Sequence, residues 1–147
     1  MAEIFDRFVD LGILNSCHLD LVKVYAEKWG KTLFHSILEC HILTESALAD
    51  TLSEVLKLER VMEIDVSKVD VKLLSTFSLE AAMRLECLPF FKEAEVVPLV
   101  VADPTRSDLL SFAEKQLSTP VRYLVTERGQ LSQIILESFP IIDELST

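Results

Sequence analysis

The chain has 147 residues, half of them apolar, and carries 24 acidic against 14 basic side chains for a net charge of −10. That length builds one compact unit, or two small lobes sharing a core, without covalent staples. Three cysteines (Cys17, Cys40 and Cys87) with no CxxC pair exclude a secreted disulfide framework, and an acid excess of five in each half excludes nucleic acid as a partner, because phosphate binding needs clustered Lys and Arg.

No apolar run is long enough to span a membrane, and the acidic and basic residues among the first twenty positions do not fit a signal peptide. Ile4, Phe5, Phe8 and Val9 fall on one face of a short first helix, and Gly12 stops it. Asn15 caps a second helix to about Lys28, with Leu19, Val22 and Ala26 inward, and Gly30 ends it. Leu33, Phe34, Ile37 and Leu38 then repeat the first face at an offset of 29 residues, and Thr44 caps a fourth helix carrying Leu48, Leu52 and Leu56. Each helix-turn-helix unit is too short to bury its own apolar face, so two copies packed together predict a four-helix lobe over residues 1–56.

Residues 57–77 alternate loosely and are expected to form an extended connector with one or two helical turns near "DVKLLSTF". From Ser78 the pattern is mixed. "SLEAAMRLE" is a capped helix, and "CLPFFKE" and "VVPLVVA" are strands of a hairpin through Glu93–Glu95. "DPT" is a turn, "SDLLSFAEKQL" a helix capped by Ser107, "PVRYLVT" a strand, and "RGQLSQIILESF" a final helix. "PIIDELST" reads as a frayed end or the start of a linker. The expected fold class is therefore α+β: a helical lobe, a connector, and a small three-stranded α/β lobe over 78–147.

The chemistry-bearing motifs are sparse. Three glycines (Gly12, Gly30 and Gly129) cannot build a phosphate-cradling loop. Cys17-His18 and Cys40-His41 are adjacent pairs, and neighbours on a helix point about 100° apart, so neither pair supplies two ligands to one metal. No cysteine stands in a recognisable nucleophile context. Glu86, Glu93 and Asp103 sit at strand ends, where carboxylates are more often solvated than catalytic. No enzyme, metal or cofactor signal rises above background, which leaves surfaces. Trp29, Tyr25 and Tyr123 are candidate anchors, with core packing as the plainer use of Trp29.

The doubled helix unit, the connector ending "IDVSKVD" and the "VADPT" turn between a strand and a helix together resemble the N-terminal domain of type II secretion and type IV pilus assembly ATPases, over roughly residues 3–138. The resemblance implies a non-catalytic domain that precedes a motor and docks it to a platform protein at the cytoplasmic face of the inner membrane, touching the membrane only through that partner. Either a motor follows, or the chain is a stand-alone copy. Phe90 and Phe91 are the candidate partner contacts. In a related branch each helix unit binds cyclic-di-GMP through an Arg-Leu-Gly start, a second Gly and a late Gln.

Here the first copy has Glu3 for Arg, Phe5 for Gly and Ala26 for Gln, keeping only Gly12; the second has Thr32, Phe34, His41 and Val55. A dinucleotide favours Arg for charge and Gly for close backbone approach, so these substitutions predict a retained scaffold and a lost nucleotide site, with cyclic-di-GMP not expected as a ligand. The alternatives are a cyclic-di-GMP sensor with a divergent motif, and a stand-alone adaptor of the same fold.

Overall fold

The helix repeat is written in backbone hydrogen bonds. At the end of α1 (Ala2–Asp10), Gly12 N–H donates to Val9 O at 3.0 Å and Ile13 N–H to Phe8 O at 2.9 Å. At the end of α3 (Leu33–Glu39), His41 N–H donates to Leu38 O and Ile42 N–H to Ile37 O, both at 3.1 Å. Every partner is displaced by the same 29 residues, and both turns are left-handed closures of the helix C-terminus, with φ of 75° at Gly12 and 57° at His41. The long helices also start alike: Asn15 accepts from Cys17 N–H before α2 (Ser16–Trp29), and Thr44 accepts from Ala47 N–H before α4 (Glu45–Leu56). The computed structural model describes residues 2–146, with side chains described for residues 4–139.

The stretch expected as an extended connector with one or two helical turns has those turns and also adds a strand. β1 (Glu59–Arg60) joins the sheet, a 3₁₀ turn covers Val66–Lys68, and α5 (Val71–Leu74) follows. α6 (Leu79–Leu85) leads to β2 (Cys87–Pro89), β3 (Val97–Val101), α7 (Leu109–Leu117), β4 (Val121–Val125) and α8 (Arg128–Ser146). The sheet order is β1-β4-β3-β2, four strands where three were expected. β1 and β3 both run parallel to β4, with Arg60 beside Val125 and Leu99 beside Tyr123, while β2 pairs antiparallel with β3. The hairpin turn lies where the sequence placed it, with Ala94 and Glu95 at positive φ. Asp108, rather than Ser107, precedes α7. α8 continues through Pro140 to Ser146, so the expected frayed tail is helical backbone.

One apolar core runs through both lobes. Phe5, Phe8, Ile37 and Leu52 from the helices join Leu88, Leu99, Val125 and Ile135 from the sheet and α8. Burying side chains of this size contributes roughly 1.5–3 kcal/mol each relative to exposure, which makes the lobe contact a principal source of stability.

Candidate functional site

A cleft of about 500 Å³ opens where the lobes meet. One wall is Phe5 of α1 with Thr32 and Phe34 at the start of α3; the other is the β3–α7 segment with Asp103, Arg106 and Asp108. Each element puts its residue there for a local reason. Thr32 is the cap of α3, its hydroxyl accepting from His35 N–H at 3.1 Å. Asp103 stands two residues past the end of β3, where the Asp-Pro-Thr turn folds back on itself: its Oδ1 accepts from Thr105 N–H at 3.0 Å and from the Thr105 hydroxyl. Arg106 is braced by Asp108 Oδ1 at 2.7 Å and by Arg84 O at 2.9 Å.

Three of the substituted motif positions therefore converge. Phe5, Thr32 and Phe34 come from both helix units and share one cleft. Phe5 and Phe34 are almost fully buried and leave little surface to the cleft. Gly12 and His41 lie elsewhere, in exposed turns, and Val55 is buried in α4. Glu3 belongs to α1, and its side chain lies outside the described residues. Phe90 is buried and bridges to Val69, so Phe91, which is 54% exposed, is the member of that pair at the surface.

Two carboxylates expected to be solvated are buried instead. Glu86 ends α6 at a left-handed φ of 54° and points into the lobe boundary. Arg128 Nε donates to its Oε1 at 2.5 Å, and His35 Nε2 stands 3.5 Å from the same oxygen. Burial pushes the Glu86 carboxyl up, but the His35 and Arg128 contacts more than reverse this and leave it below the usual carboxylate range. Burial dominates at Asp103 and raises its carboxyl despite the Thr105 hydrogen bonds. Glu93 is exposed, as anticipated. The Cys87 thiol is pushed up to about 12 by burial, which removes it as a nucleophile near neutral pH. Among the described residues no group of three or more His, Cys, Asp or Glu side chains could hold a metal ion.

The cleft thus combines two aromatic side chains, a buried carboxyl and a braced guanidinium. Such a set can flank a planar base, accept from its hydrogen-bond donors and meet a phosphate. Asp103 and Arg106 lie outside the helix repeat, so its motif positions do not point to them. The available signal was the "VADPT" turn, a carboxylate and then Arg106 just beyond a strand.

The comparisons bear on this geometry. The MshEN domain family matches residues 56–144. The solved structure of MshE with cdg superposes with a TM-score of 0.71 at 20% identity, covering 92% of this chain and 97% of that one. The N-terminal domain of XpsE superposes in two crystal forms: one at a TM-score of 0.62 and 17% identity over 91% of this chain and 93% of that one, the other at 0.67 and 19% over 92% and 94%. No curated protein matches the sequence. The MshE structure overturns the expectation that set cyclic-di-GMP aside, since a chain matched over nearly its whole length holds cdg. In this chain the helix units form only one wall of the cleft, so their motif positions alone do not describe it. The wall built by residues 103–108 adds polar groups that the motif does not contain. The chain belongs to the MshEN domain family, found as the N-terminal domain of type II secretion and type IV pilus ATPases.

Proposed function

We propose that this chain is a non-catalytic regulatory domain that binds cyclic-di-GMP with a divergent site in the cleft between its lobes. The observation that carries the reading is the convergence of Phe5 and Phe34, equivalent positions of the two helix units, and of Thr32 on one cleft faced by Asp103 and Arg106. A volume of about 500 Å³ lies within the range of small-molecule sites. Arg106 supplies the guanidinium that Glu3 and Thr32 do not, and bidentate phosphate contact is the use that suits its planar fork. Asp103 offers an acceptor to the two donors on the guanine base-pairing edge. MshE, of the same fold, is seen with cdg. In this reading the lobes 1–56 and 78–147, joined through 57–77, respond together to the nucleotide. The domain reports to a motor, or to a partner of that motor, at the cytoplasmic face of the membrane.

Calorimetric titration of the purified chain with cyclic-di-GMP tests the reading. Saturable binding at micromolar concentrations is expected, weakened about tenfold in Arg106→Ala once circular dichroism shows that the variant is folded. Absence of saturable heat, or equal affinity in the variant, refutes the site. Turnover of ATP by the repurified chain would refute the non-catalytic assignment.

A further inference from the structure

His35 joins a cleft residue to the buried Glu86. Its backbone N–H donates to the Thr32 hydroxyl at 3.1 Å, and its ring Nδ1 lies 3.1 Å from the same oxygen. The other ring nitrogen, Nε2, is buried with no hydrogen-bond partner among the described residues and stands 3.5 Å from Glu86 Oε1. Thr32 is exposed and lines the cleft. A hydroxyl has one hydrogen to donate and two lone pairs that accept. At Thr32 the His35 N–H takes one lone pair, so what the cleft is offered depends on the ring. Glu86, with its carboxyl below the usual range, is an anion near neutral pH, and a ring nitrogen facing it carries the hydrogen. The neutral ring then has a bare Nδ1, the Thr32 hydroxyl donates to it, and the cleft is left a lone pair. In the charged ring Nδ1–H donates to the Thr32 oxygen instead. Both lone pairs are then taken, and the hydroxyl hydrogen is free for the cleft.

We propose that His35 is a positioning residue of the nucleotide site: its proton turns the Thr32 hydroxyl from acceptor to donor, so that an acceptor oxygen of the bound nucleotide is held more tightly as pH falls. The inference rests on the cleft being the nucleotide site and adds a pH control to it. The charged groups around the ring are Glu86 at the end of α6, Arg128 of α8, Asp103 of the β3–α7 turn and, on its own helix, Glu39. Glu39, hydrogen-bonded by Lys31, and Glu86 both sit below the usual carboxylate range, so with Arg128 they keep their charge where imidazoles change theirs, from about pH 8 to 5. Asp103 is different: burial raises its carboxyl, so its own protonation is a second source of pH dependence in the cleft and needs a control.

The experiment has two parts. Without nucleotide, long-range ¹⁵N–¹H spectra of the whole chain read the histidine tautomers, and His18→Gln and His41→Gln, both at exposed positions, leave His35 assigned. The Nε2–H form is expected for its neutral ring; the Nδ1–H form overturns the proposal. Calorimetric titration with cyclic-di-GMP is then run from about pH 8 to about pH 5.5 on the parent, His35→Gln and Thr32→Asn. Parent affinity is expected to rise about fivefold toward acid, the net effect of one added hydrogen bond. Both variants are expected to give level profiles. Asn keeps a capping oxygen at position 32 but has no hydroxyl to turn, and His35 remains beside it. A level parent profile overturns the proposal and leaves the cleft reading standing. So does an undiminished rise in His35→Gln, which would belong to Asp103, or in Thr32→Asn, which would make the ring act by its charge alone. Absence of saturable heat at every pH refutes the cleft reading, and this use of Thr32 with it.

Discussion

Gly12 and His41 close the same turn in the two helix units, yet only one of them is a glycine. Both backbones are left-handed, at φ of 75° and 57°. A side chain on Gly12 would meet nothing within 4 Å, so the cost of adding one is purely conformational. His41 already bears that cost, and its side chain is exposed. Gly12→Ala is expected to destabilise the fold by about 1 kcal/mol, and His41→Gly to stabilise it by about 0.5–1 kcal/mol after the added freedom of the unfolded chain is counted. Urea unfolding midpoints measure both. Two shifts of the same sign would show that backbone strain is not what distinguishes the turns. The second turn keeps the same two closing hydrogen bonds, to the Leu38 and Ile37 carbonyls, with a histidine in place of the glycine.

At the scale of elements, α6 and α8 are joined to α3 by Glu86. Its carboxyl sits lower than that of an unfolded glutamate, so its contribution has a definite pH signature. The unfolded group ionises near about pH 4.3. Above that value the folded carboxylate is fully charged, and its contacts with Arg128 and His35 contribute in full. As pH falls through the lowered folded value, the group protonates in both states and the contribution disappears. Glu86→Gln is expected to cost about 1–2 kcal/mol at neutral pH, the lower end reflecting an Arg128 that is 44% exposed. The unfolding free energies of variant and parent should converge in acid; a difference that persists there would assign the loss to packing.

The elements also show what the sequence carries and where it stops. The helix units are legible because cap, turn and apolar face repeat locally, within one unit's length. β1 is not legible, since two residues have no period and their pairing with Leu124 and Val125 lies far along the chain. The site divides in the same way. Phe5 and Phe34 are visible as motif positions and Glu86 and Asp103 as strand-end carboxylates, whereas Arg106 and the burial of both carboxylates appear only in the folded chain. The reading of α8 as ending before Pro140 fails for a related reason: proline lowers the odds of helix, but the rest of the helix can carry it through.

For the whole molecule the question is whether two lobes behave as one. The shared core, with Phe5 and Leu52 in the same cluster as Leu99 and Ile135, says that neither lobe can open without exposing apolar surface of the other. Each lobe has its own reporter. Trp29, the single tryptophan, sits at the end of α2 in the helical lobe. Cys87, with no exposed surface, sits in β2 and reacts with thiol reagents only after the sheet lobe opens. In a chain carrying Cys17→Ser and Cys40→Ser, the urea midpoints for Trp29 fluorescence and for Cys87 labelling are expected to coincide. An earlier Trp29 transition would show that the helical lobe melts alone and that the shared core is too weak to couple the two. The same pair of probes reads the proposed ligand. A nucleotide held between the lobes stabilises both by one amount, about 2.7 kcal/mol at a hundredfold excess over its dissociation constant, so both midpoints move together. A ligand that shifted only Trp29 would be bound to the helices alone, and the wall built by Asp103 and Arg106 would then have no part in holding it.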